Sequence, residues 1–224
     1  MDSVQQIEPQ RCAETEQKKP HRRWDTFTDW ARTQAGMLFR PLVRAMARLG
    51  IHPNTITIFG MLLQLGVAAV FGSGHLVLGG WLLLALAPVD ALDGALARAL
   101  NKQSRFGAFL DSTLDRISDA ALVLGLTVHY IRQADSLAVA LLLTSLVATQ
   151  MVSYVRARAE ALGFPCKVGV LTRLERIVLI GALSAVGLPM VMMWALAILS
   201  VFTMMQRILY VYVVARQQEQ ASQQ

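Results

Sequence analysis

The chain alternates between long stretches without a single charge and short stretches crowded with charges. No Asp, Glu, Lys or Arg occurs from Leu49 to Val89, from Ser136 to Val155, or from Ile177 to Gln206. A membrane-spanning helix needs about 20 apolar residues. The first run is too long for one crossing and must fold back, with Gly72-Ser73-Gly74-His75 as the turn. The third run breaks in the same way near Gly187-Leu188-Pro189. The pattern predicts six spans at about 55–71, 76–100, 107–130, 136–160, 172–187 and 190–215. No strand-like alternation appears, so the expected fold is all-α and integral to the membrane. Composition agrees: 54% of the 224 residues are hydrophobic and the mean hydropathy is +0.45, too apolar for an ordinary soluble domain.

The flanks read differently. Residues 1–23 are polar and end in Lys18-Lys19-Pro20-His21-Arg22-Arg23, which predicts a mobile cytoplasmic tail with a basic end able to touch anionic lipid. Over 24–50, Trp24, Phe27, Trp30, Leu38 and Leu42 interleave with Arg32, Arg40, Arg44 and Arg48. Such an amphipathic juxtamembrane helix lies on the cytoplasmic leaflet or packs on the bundle. The six-helix domain is expected over 51–216, and 217–224 is a polar tail.

Charge then sets the orientation. With the outer connections at 72–75, 130–136 and 187–190, only Arg132 of the 21 Lys and Arg residues lies outside. The positive-inside rule therefore places both termini in the cytoplasm. The net charge of +6 is accounted for by this topology, and nothing in the chain suggests nucleic-acid binding. No cleavable secretory segment is expected. Cys12 and Cys166 both fall on the reducing side, without metal or redox spacing, and read as incidental thiols. The expected location is the cell membrane, multi-pass, with the site facing the cytoplasm.

The candidate chemistry sits at the inner end of spans two and three. Asp90 and Asp93 are three residues apart, and Asp111 and Asp115 are four apart, so on helices each pair faces one way. Four carboxylates at the edge of a membrane need a partner. A pair of divalent cations is the expected one. The alternative is a structural ion-pair network. Hard oxygen ligands without His or Cys favour Mg2+, with Mn2+ possible. Gly94 permits close approach of a ligand to the backbone, and Arg98 offers a fork of donors to phosphate. Together these features point to metal-assisted phosphoryl transfer, in which a partly free carboxylate takes the proton of an attacking hydroxyl.

The pattern D-x2-D-G-x2-A-R-x8-G-x3-D-x3-D, from Asp90 to Asp115 through Gly94, Arg98 and Gly107, resembles the signature of the CDP-alcohol phosphotransferases at every fixed position. The resemblance implies a six-span bundle over roughly residues 40 to 215. It implies metal ligands at Asp90, Asp93, Asp111 and Asp115, with Asp115 also the general base. It further implies that Gly94, Arg98 and Ser104 hold the CDP moiety. Pro53-Asn54-Thr55-Ile56-Thr57 resembles the family's P-N-x-x-T opening of span one, which closes over the nucleotide. An ordinary helix start is the alternative there. The family resemblance also implies a homodimer, and the small residues of spans three and four allow close helix packing.

The second substrate is read from the other arginines. Arg156, Arg173, Arg176 and Arg207 fall at inner helix ends, and arginines converging on one cavity suit a phosphorylated acceptor. They also suit plain anchorage at lipid headgroups, or pairing with Glu160 and Glu175. The run Ser153-Tyr154-Val155-Arg156-Ala157-Arg158-Ala159-Glu160 and the run Arg173-Leu174-Glu175-Arg176 resemble those of phosphatidylinositol phosphate synthases. Thr172 departs from that pattern, where those enzymes often carry Glu. The resemblance implies CDP-diacylglycerol as donor and inositol 1-phosphate as acceptor. A phosphatidylglycerophosphate synthase, using glycerol 3-phosphate, needs similar basic residues and is the nearest alternative. A divalent-cation or proton transporter is the rival from another class. It calls for acids spread through the membrane depth, whereas these cluster at one end.

Overall fold

The computed structural model describes residues 52–89, 96, 104–166 and 168–221. The expected tail and juxtamembrane helix, Cys12, and the site residues Asp90, Asp93, Gly94 and Arg98 lie outside the described residues. Among those described there are six α-helices and no strand: α1 Pro53–Gly72, α2 Leu76–Leu86, α3 Arg105–Arg132, α4 Ser136–Ala161, α5 Arg173–Ala185 and α6 Pro189–Ala221.

Local chemistry places the ends. Pro53 stands in the first turn of α1, where its missing N–H costs nothing, and the cap is His52, whose Nδ1 accepts from the Asn54 amide at 3.3 Å. Ser104 Oγ caps α3 by accepting from the Gly107 amide at 2.9 Å. Asp135 caps α4 by accepting from the Ala138 amide at 3.0 Å. Gly74, at φ 94°, makes the tight turn between α1 and α2 that the glycine pair predicts. One expectation changes. Instead of running unbroken to residue 100, the second apolar segment leaves α-helical geometry at Leu86 and continues as a 3-10 turn, Ala87–Val89. Pro88 has no N–H to continue the ladder, and its ring crowds the preceding turn.

Among the described residues, three helices are long and apolar enough to cross a membrane: Pro53–Gly72, Ser136–Ala161 and Pro189–Gln220. α3 has the length, at 28 residues, but its N-terminal part carries Arg105, Asp111, Asp115, Arg116 and Asp119. α5 has only 13 residues, about 20 Å at 1.5 Å per residue.

The helices assemble by close backbone approach as much as by side-chain volume. α3 packs on α1 and α4, α6 on α4 and α5, and α2 on α5 and α1. A Cβ on Gly125 would stand 2.2 Å from the Ala68 carbonyl oxygen of α1, and one on Gly80 would stand 2.5 Å from the Ala185 amide. Only glycine permits either contact, as expected where helices associate through backbone packing. Around these contacts, Phe71, Leu83, Leu126, Leu142, Met192 and Leu196 are fully buried. α5 leans on α2 and α6. The space between it and α3 is a cavity.

Candidate active site

The site begins where α1 and α3 start side by side. A Cβ on Gly107 would lie 3.0 Å from Ser104 Oγ and 3.2 Å from Asn54 Oδ1. The Pro53–Thr57 segment and Ser104, far apart in sequence, are thus brought together, with Gly107 keeping the space between them open. Within the segment Pro53 and Ile56 are buried, Thr55 is exposed, and Thr57 donates to the Pro53 carbonyl at 3.3 Å.

One and two turns further along α3 come Asp111 and Asp115, both half-buried. Their four-residue spacing puts two carboxylates on one face. No group of three or more metal-ligating side chains converges among the described residues, and two of the four expected ligands, Asp90 and Asp93, lie outside them. The two carboxylates present fit a hard divalent cation: both are oxygen donors, with no competing imidazole or thiolate.

Beside Asp115 opens a cavity of about 380 Å³ between α3, α4, α5 and α6. The structure brings all four expected acceptor arginines to its wall: Arg156, Arg173, Arg176 and Arg207. Their partners differ. Arg156 is half-exposed and pairs with Glu160 one turn on, at 2.9 Å. Arg173 reaches Asp115 Oδ1 at 3.0 Å. Arg176 is only 5% exposed and donates to Asp119 Oδ2 at 2.5 Å. Arg207, 4% exposed, forks between the Val168 carbonyl at 2.8 Å and the Val152 carbonyl at 2.6 Å. It therefore ties the loop after α4 to the bundle while lining the cavity. Gly169, at φ 145°, lies against this guanidinium, and a Cβ there would meet Arg207 Nη2 at 3.0 Å.

Two charged wall residues are absent from the sequence expectation. Arg116 follows Asp115 and donates to the Ser112 carbonyl, and Asp119 stands one turn beyond Asp115. The signal for Asp119 is in the chain, since Asp111, Asp115 and Asp119 repeat at four-residue intervals. Among the described residues, five arginines and three carboxylates, Asp115, Asp119 and Glu160, line the cavity. This excess of guanidinium suits an anion.

A sequence model described as CDP-alcohol phosphatidyltransferase matches residues 50–206, well over half of the chain. The chain belongs to the CDP-alcohol phosphatidyltransferase family. Among its relatives is the archaetidylinositol phosphate synthase of Methanothermobacter thermautotrophicus, 41% identical over 189 residues, covering 78% of this chain and 92% of the relative. The phosphatidylinositol phosphate synthase of Mycobacteroides abscessus is 41% identical over 177 residues, covering 75% of this chain and 80% of the relative. In three dimensions the chain is similar to the Mycobacterium tuberculosis phosphatidylinositol phosphate synthase. With CDP-DAG bound to that enzyme the TM-score is 0.73 at 36% identity, covering 77% of this chain and 92% of that one. With manganese and citrate the TM-score is 0.72, covering 77% and 88%. This CDP-alcohol phosphatidyltransferase is thus a metal-dependent transferase of phospholipid synthesis, related to phosphatidylinositol phosphate and archaetidylinositol phosphate synthases.

Proposed function

We propose that the protein transfers a phosphatidyl group from CDP-diacylglycerol to inositol 1-phosphate and releases CMP. The observation that carries this reading is the cavity beside Asp115, where an excess of arginine surrounds a space large enough for a ring polyol. Ser112, Ser153, Thr172 and Glu160 share its wall and offer hydroxyl and carboxylate partners to several substrate hydroxyls. A three-carbon acceptor such as glycerol 3-phosphate has fewer hydroxyls to engage these groups.

The donor lies with its acyl chains in lipid and its CDP head at the paired starts of α1 and α3. Asn54, Ser104 and the neighbouring backbone, together with Gly94 and Arg98, hold the nucleotide. Asp90, Asp93, Asp111 and Asp115 would hold Mg2+ or Mn2+, two ions in this reading. Such ions neutralise the pyrophosphate and the departing CMP when bound. Arg173, Arg176, Arg156 and the free edge of Arg207 draw in the acceptor phosphate. Asp115 takes the proton of the acceptor hydroxyl, whose oxygen attacks the lipid-side phosphorus. The bond from that phosphorus to the bridging oxygen breaks, and CMP leaves with the electron pair. The enzyme works as a six-span membrane homodimer with the site at the cytoplasmic face.

The test is a panel. Purified protein with CDP-diacylglycerol and Mg2+ receives inositol 1-phosphate, glycerol 3-phosphate, inositol or serine, and CMP release is measured. Release is expected with inositol 1-phosphate. Greater release with glycerol 3-phosphate, or with an unphosphorylated alcohol, sinks the assignment.

A further inference from the structure

Asp119 has no role in the transfer as described, yet it holds two of the arginines that do. One carboxylate oxygen accepts from Arg176 Nη2 at 2.5 Å and the other faces Arg173 Nε at 3.4 Å. Arg173 reaches onward to Asp115 at 3.0 Å. The result is a continuous ladder, Asp115–Arg173–Asp119–Arg176. Its carboxylates come from α3 at four-residue spacing, and its guanidiniums come from α5 at three-residue spacing.

The setting gives the ladder a specific task. α5 leans on α2 and α6, so backbone packing does not fix its distance from α3. Below Arg176 and Asp119 the wall turns apolar, with Leu122, Val123, Ile177 and Ile180. Arg176 is thus a charge at the boundary between a wet cavity and a dry core, where an unpaired guanidinium is costly and a paired one is oriented. Using one oxygen per arginine, Asp119 sets the separation of the two guanidiniums at the cavity wall.

We propose that Asp119 is a positioning residue: it aligns Arg173 and Arg176 as a preformed receptor for the acceptor's phosphate, at a set distance from Asp115. This rests on the proposed transfer reaction. An ion pair that served only stability would move folding and leave the balance between the two substrates alone.

The experiment compares wild type, D119N and D119E in two assays, calorimetric binding of inositol 1-phosphate and CMP release with each substrate varied in turn. For D119N, the dissociation constant and KM for inositol 1-phosphate are expected to rise about tenfold or more, as for loss of a charged hydrogen-bond partner, with the KM for CDP-diacylglycerol within about twofold of wild type. D119E keeps the charge but displaces the fork, and is expected to fall between the two. Equal acceptor binding in D119N and wild type overturns the proposal, as does a parallel rise in both KM values. If D119N does not fold, D119E is read by the same criteria. Wild type that releases CMP only with another acceptor overturns the inositol assignment instead, and D119N is then tested on that acceptor. Wild type that binds no phosphorylated alcohol overturns both.

Discussion

Asp115 sits where two demands meet: it shares a face of α3 with Asp111, the side proposed for the metal, and is also in contact with Arg173 across the cavity. In D115N the hydroxyl proton has no acceptor, so CMP release is expected to fall by about a hundredfold or more while CDP-lipid binding, measured by calorimetry, persists. Full activity in that variant would remove Asp115 from the base role. The residues of the site were readable to different depths. Charged groups in apolar runs stand out, and the fixed spacing from Asp90 to Asp115 names the reaction. For Asp119 the four-residue spacing shows the face but not the role, because the motif ends one turn before it and the partners of its carboxylate are arginines more than fifty positions away. His52 was hidden for another reason. Asn54 is the better capping residue by type, but Pro53 in the first turn shifts the cap one place upstream of itself.

At the level of helices, the turns at Gly74 and before Pro189 follow from sequence punctuation. The early end of α2 follows from Pro88, whose effect a reading by hydropathy alone passes over. What no one-dimensional pattern contains is which glycine meets which backbone. Gly125 and Gly66 look alike in sequence, yet a Cβ at Gly125 strikes Ala68 at 2.2 Å and one at Gly66 meets nothing within 4 Å. G125A is therefore expected to push α1 from α3 at a cost of about 1–3 kcal/mol. G66A is expected to be neutral or to stabilise by up to about 1 kcal/mol through helix propensity. Melting midpoints in detergent check the pair, and equal midpoints would contradict the close α1–α3 contact.

For the whole molecule, the uneven distribution of lysine and arginine predicts that the α3–α4 turn faces outward and the α4–α5 loop inward. In a background with Cys12→Ser, where Cys166 is fully buried, a single cysteine at Gln133 should react with an impermeant maleimide added outside intact cells. One at Ala161 should react only after lysis. The reverse result would invert the topology and put the carboxylates on the wrong side for a cytoplasmic nucleotide. The general architecture was legible because a bilayer imposes its thickness on the chain. The cavity was not, since its wall is assembled from four helices that meet only in three dimensions.

The last helix has a practical consequence. α6 runs 33 residues from Pro189 to Ala221, about 50 Å at 1.5 Å per residue, against a hydrocarbon thickness of about 30 Å. Even with an ordinary tilt, its final turns stand clear of the lipid as a continuous rod. A helical protein fused in register after Gln220 would inherit that rigidity. It would rise from the membrane at a fixed angle, giving a protein of 24.6 kDa a visible fiducial for electron imaging.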